Sequence, residues 1–204
     1  MNEDDDKVVT LPTVYGVGMN DIKWGPRSPA YTAWKSMLKR AYSPAFHAKH
    51  PSYRGVSVAP EWHKLSAFAA WYEVNHIKGY HLDKDLLSNR REYSPNTCLF
   101  IPPWLNNLLL DGGAIRGSLP QGVFLERNMI RACCRIGGKT HHLGTFDTVE
   151  KASFTYLGFK EGFIRARWEE ISAISPNLGR IVLDRFREQH RRDWLAYEQR
   201  QQAI

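Results

Sequence analysis

The stretch QGVFLERNMIRACCRIGGKTHHLGTFDT, Gln121 to Thr148, followed by VEKASFTYLGFKEGFIRARW, Val149 to Trp168, decides how this chain folds. Three short runs of strand composition lie near 121–127, 130–136 and 139–145. The triplets ERN and GGK separate them, and the second is a strong hairpin signal. A helix-patterned run follows, with Thr148 placed to cap it and Glu150 in its first turn, where an acid suits the helix dipole. On an extended strand Arg131 and Arg135 lie four positions apart and share one face, with Cys133 between them. The neighbours His141 and His142 point to opposite faces, so at most one of them can meet a groove. A small sheet of this kind, backed by one amphipathic helix, presents cations to a partner. Arginine can grip guanine O6 and N7, or a phosphate, with two hydrogen bonds. The competing reading is a solvated strand face, which needs arginine no more than lysine.

The charge of the whole chain agrees with a nucleic-acid partner without specifying one. The chain has 204 residues, a net charge of +7 and a pI of about 9.4. Clustered Lys and Arg release counterions from DNA, which is the physical basis for reading a basic surface as a phosphate binder. Both halves of the chain are basic, and the only acidic run is the short start MNEDDDK. That start has none of the pattern of a signal peptide; it reads as a disordered acidic tail over 1–13, or as a tag remnant. No apolar run approaches membrane-spanning length, so no membrane partner is expected. Three cysteines, Cys98, Cys133 and Cys134, have no metal-ligand spacing, and adjacent ones are poorly placed to bridge. A reducing, intracellular setting fits them.

Outside the deciding stretch, the N-terminal half reads as helices around an aromatic core. SPAYTAWKSMLKRAY gives a helix from Ser28 to Tyr42, capped by Ser28, with Tyr31, Trp34, Met37, Leu38 and Tyr42 on one face. Residues 43–57 read as a loop, and 60–76 as a second helix. HLDKDLLSNRREYSPNTCLFIPP then suggests a β-hairpin or an Ω-like loop between two short strands, with the helix WLNNLLL after Pro102-Pro103. Asp111-Gly112-Gly113 ends that helix and opens a linker to Pro120, the best domain boundary in the chain. A last helix follows Pro176. Its Arg185, Arg187, Arg191 and Arg192 read equally as phosphate contacts or as a solvated face.

The second half resembles the Apetala-two/ethylene-response-factor type DNA-binding domain, in the form found in phage and mobile-element proteins. The resemblance covers about 50 residues. It rests on Gly122-Val123, the alternation Arg131-Ala132-Cys133-Cys134-Arg135, the turn Gly137-Gly138-Lys139 and, most specifically, LGTFDT with Glu150 and Ala152 behind it. It implies a three-stranded sheet laid in the major groove of double-stranded DNA. Carried over residue by residue, it nominates Arg127, Arg131, Arg135, Lys139 and His141 as DNA contacts. Plant members of the family have a tryptophan where His142 stands.

Residues 31–107 resemble the N-terminal part of phage HNH-type and homing-endonuclease-like proteins. The matching pieces are Tyr31, Trp34 and Met37-Leu38-Lys39-Arg40, VSVAPEW with Phe68, LDKD, YSPNTCLF and Asn106. This implies a ββα-metal-like fold: strand, turn, strand, helix. Asp83 takes the metal-carboxylate position, Asn96 orders the hairpin, and Asn106 stands on the helix. Lys84 occupies the place of the usual general-base histidine, and His81, two residues before Asp83, lies on the same strand face as Asp83 and Asp85. Asp83, Asp85 and Asn106 are oxygen donors suited to magnesium or another hard divalent cation. A zinc-stabilised variant is not expected, since paired CxxC ligands are absent.

The combined expectation is an α+β protein: a tail over 1–13, an HNH-like domain over 14–110, a linker over 111–120, a DNA-binding domain over 121–172 and a final helix over 173–204. Its expected activity is metal-dependent hydrolysis of double-stranded DNA, as a nick or a double-strand break. A catalytically inactive DNA-binding accessory or regulatory protein is the alternative. A third reading has the aromatic-rich N-terminal half acting on host machinery. The phage resemblance places the protein in the cytoplasm of an infected bacterial cell.

Overall fold

The computed structural model describes residues 13–22, 28–88, 91–110 and 117–203. The expected acidic tail lies outside these residues except for Thr13, and so does most of the expected linker. The chain divides into two compact units, Met1–Lys78 with Leu82–Phe100, and Gly79–His81 with Ile101–Ile204. It is an α+β fold.

In the first unit α1 spans Pro29–Tyr42, and Ser28 caps it by accepting the Tyr31 amide at 3.1 Å. A cap of this kind stabilises a helix by roughly 1 kcal/mol. The helix stops at Ser43, whose extended backbone starts a second, short helix, α2 (Pro44–Lys49). Ser43 accepts the Phe46 amide at 3.3 Å. The loop expected over 43–57 therefore begins with a helical turn, announced by the same Ser-Pro pair that starts α1. β1 is Ser57–Val58, and α3 is Leu65–Asn75.

The helix expected over 60–76 is broken. A 3-10 turn covers Pro60–His63, and Lys64 is extended between it and α3. The break has a partner. The Met19 amide donates to the His63 carbonyl at 2.8 Å, and the Leu65 amide donates to the Met19 carbonyl at 2.9 Å. A strand-like contact on both sides of residue 64 takes the backbone groups a continuous helix would use.

The core of this unit lies between α1 and α3. Trp34, Met37 and Leu38 of α1 and Leu65 and Phe68 of α3 are fully buried, with Trp62 nearly so. Trp34 Nε1 donates to the Trp62 carbonyl at 2.8 Å, so the largest buried ring leaves no polar atom stranded. Trp71 stacks on Phe100 with ring centroids 5.6 Å apart. The aromatic density of the N-terminal half is core.

The region expected as a β-hairpin or an Ω-like loop between two short strands takes the second form, with two small ladders. β2 (His81–Asp83) pairs with β4 (Leu99–Ile101), while β3 (Glu92–Tyr93), between them in sequence, pairs in parallel with β1.

The second unit opens earlier than the boundary expected at 111–120. Its first helix, α4 (Pro103–Leu108), buries Leu105 and Leu108. Trp104 meets the Phe163 ring edge-on at 5.5 Å, and its Nε1 donates to Glu170 at 3.0 Å. Arg167 covers the Phe163 ring at 3.7 Å, worth roughly 1 kcal/mol at a half-exposed site.

A three-stranded antiparallel sheet follows, β5 (Val123–Glu126), β6 (Met129–Ile136) and β7 (Lys139–Phe146), in the order 5-6-7. Two-residue turns join the strands, Arg127-Asn128 and Gly137-Gly138, all four with positive φ. Such turns match the right-handed twist of the strands they connect. The helix α5 (Val149–Arg165) covers one face, and Val123, Ala132 and Ala152 form the buried centre.

A further helix, α6 (Trp168–Ile174), leads to α7 (Leu178–Gln202). The final helix is not an appendage to this unit. Ser153 of α5 and His190 of α7 share a hydrogen bond of 2.9 Å, and Arg187 donates to Glu161 at 2.7 Å. The Arg187 guanidinium, first of all by that hydrogen bond, holds the Glu161 carboxyl below its ordinary range.

Candidate nucleic-acid interface

Alternation along β6 sorts its side chains between two environments. Ala132, Cys134 and Ile136 are buried beneath the helix layer, while Arg131, Cys133 and Arg135 share the other face. Cross-strand neighbours extend that open face. Phe124 and Thr145 lie opposite Arg131, His142 opposite Cys133, and Thr140 opposite Arg135. Glu126, opposite Met129, completes it at the first hairpin.

The two arginines sit in different surroundings. Arg131 is half-buried and forms an ion pair with Glu126, diagonal to it across the hairpin. Its Nε is buried and meets no acceptor among the described residues. Arg135 is exposed near the second hairpin, and no ion pair holds it among the described residues.

The register corrects the choice between the two histidines. His141 stands opposite the buried Cys134, and its ring lies 5.2 Å from Phe159 of α5, on the covered face. His142 is the one on the open face. The register shifts by one residue between Ala132 and Cys133, which pair with Gly144 and His142 and leave Leu143 as the extra residue. A bulge of two residues against one re-aims the strand locally. Here it lets Leu143 and Phe146 both pack toward the core while Thr145 and His142 stay on the open side.

The other nominated contacts are peripheral. Arg127 is exposed in the first turn with φ of 51°, beside the face and not on it. Lys139 is exposed at the start of β7, opposite Ile136. Three of the four arginines nominated on the last helix are engaged within the second unit: Arg187 with Glu161 and Asp184, Arg191 with Glu188, and Arg192 with Gln189.

The residues expected to cleave DNA are divided between the two units. In the first unit, Asp83 Oδ1 accepts the amides of Asp85 and Leu86, each at 2.9 Å, and so shapes the turn after β2. Lys84 is 6% exposed; its Nζ binds Asp85 Oδ1 at 2.5 Å and faces the Tyr53 and Tyr93 rings at 5.8 and 5.7 Å. The Lys84 ammonium is thus matched by a carboxylate and two ring faces. Asn96 is exposed, and Thr97 orders its turn instead. The Thr97 hydroxyl accepts the Ser94 amide at 3.0 Å and donates to the Glu92 carbonyl at 2.7 Å. Burial pushes the neighbouring Cys98 thiol up to about 12. In the second unit, Asn106 Nδ2 lies 3.4 Å from His81 Nδ1, and His81 is exposed.

Among the described residues no three His, Cys, Asp or Glu side chains come together. Asp83 accepts two backbone amides through one oxygen, and Asp85 binds Lys84. No helix of the described residues is long and apolar enough to cross a membrane. Neither a family model, nor a curated protein, nor a solved structure matches the chain.

Proposed function

We propose that this protein binds double-stranded DNA through the open face of the β5–β6–β7 sheet. One observation carries the reading: Arg131, Arg135 and His142 share a sheet face that α5 leaves uncovered. Such a face suits the major groove, where arginine reads guanine and where strands as well as helices are accepted. The basic chain supplies the salt-dependent part of the affinity. The test is a titration of duplex DNA at several salt concentrations. The double variant Arg131→Ala/Arg135→Ala should bind weakly, with a salt slope shallower by about one to two. Unchanged affinity and slope would remove the sheet as the binding surface.

A second reading adds hydrolysis of the bound DNA. The contact between His81 and Asn106 favours it, since it sets an imidazole able to replace the missing base beside the asparagine that the HNH resemblance places on the helix. The assay is nicking of supercoiled plasmid with and without magnesium. Loss of nicking in His81→Ala supports this reading; a wild-type protein that shifts DNA in a gel but never cuts it leaves the binding function alone.

A further inference from the structure

We propose that Glu126 is a specificity-determining residue, holding Arg131 as a reader of base edges and keeping it from phosphate; this rests on the sheet being the DNA-binding face. Glu126 is exposed on the open face, beside the first hairpin. Its carboxylate pairs with Arg131, while Arg135 on the same strand has no such partner among the described residues. The same strand thus carries one arginine tied to an acid and one presented to solvent.

The physics of the two arrangements differs. A carboxylate on a DNA-facing surface is repelled by every phosphate, so on electrostatic grounds alone it weakens binding to any duplex. Its position is useful where no phosphate comes near, at the floor of the major groove. There a carboxylate accepts a hydrogen bond from the exocyclic amino group of cytosine, and arginine donates to guanine. An Arg–Glu pair held across a hairpin therefore presents a donor set and an acceptor set side by side. The ion pair also restrains a long side chain before binding, which lowers the ordering cost of a base contact. Arg135, without an acid, keeps the freedom to meet a phosphate or a guanine.

The test compares wild type, Glu126→Gln, Arg131→Ala and the double variant on duplexes selected from a random pool and on an unrelated duplex. Glu126→Gln keeps the shape of an exposed side chain, and circular dichroism checks that the sheet is retained. The expected result is tighter binding to unrelated DNA, a salt slope steeper by about one, and a preference for the selected site reduced about tenfold. In the Arg131→Ala background the same substitution should lose most of its effect on the slope. Glu126→Gln with unaltered preference and slope, or with an equal effect when Arg131 is absent, overturns the proposal. A wild-type protein that binds no duplex at all removes the DNA-binding reading itself, a result distinct from either.

Discussion

Replacing Gly122 by alanine should disable the sheet platform without touching its open face. Gly122 precedes β5 with φ of +79°, and its carbonyl accepts the Cys133 amide at 2.9 Å. A methyl group there would fall on Cγ, Cδ2 and Cε2 of Tyr156. Those atoms include the root of the ring, so a small swing of the side chain does not clear them. Two costs then add. A side chain in the left-handed region costs roughly 1–2 kcal/mol. Forcing a methyl into a packed contact costs roughly 1–3 kcal/mol more. The sum, about 2–5 kcal/mol, is a large part of the stability of a small domain. Gly138→Ala is the control, because Gly138 has φ of +80° but open space around a Cβ. It carries only the first cost, about 1–2 kcal/mol. Urea unfolding followed by circular dichroism, compared at equal m-value, measures both. A Gly122→Ala protein no less stable than Gly138→Ala would refute the claim that the sheet is pressed against α5 at this point.

Two further predictions concern ionisable groups. His190 sits between α5 and α7, beside Ser153, Phe154 and Asp193, and burial lowers its pKa from 6.5, with Asp193 opposing. The unfolded imidazole therefore takes up its proton at a higher pH than the folded one. Stability should fall as pH drops below about 6.5 and level off once the folded histidine is protonated. His190→Gln should flatten that part of a plot of melting temperature against pH; an unchanged profile would assign it to other groups. Cys133, half-buried on the open face, should react with a maleimide before the buried Cys98 and Cys134, and bound duplex DNA should protect it. Mass spectrometry of the labelled protein reads both effects, and labelling of Cys133 at equal rates with and without DNA would place the DNA elsewhere.

The second unit was the more legible in the sequence because its signals are local. Gly137-Gly138 makes a turn by itself, and Thr148 with Glu150 marks a helix start, so β6, β7 and the start of α5 stand within a residue or two of where alternation and capping put them. The choice between His141 and His142 was not local. The bulge at Leu143 depends on which residues of β7 the core accepts, which alternation along one strand does not specify. The break at Lys64 and the early start of the second unit have the same origin. The first is set by Met19, over forty positions away, and the second by packing of Trp104 on Phe163 and Arg167. Asn96 and Lys84 show the limit of carrying roles by position. Thr97 supplies the hydrogen bonds expected of Asn96, and Lys84 turns inward to Asp85 and two tyrosines. The pairing of Glu126 with Arg131 had only a weak signal in the sequence, an acid in the expected ERN turn and a base soon after it on the next strand.

The central claim is that the open sheet face enters the major groove, and methylation interference tests it most directly. Guanine N7 lies on the floor of that groove and is one of the two atoms arginine grips. Methylating N7 within a selected site should block binding of the wild-type protein, and Arg131→Ala should be less sensitive at one or more of those guanines. Binding indifferent to N7 methylation but abolished by a minor-groove ligand would contradict the account.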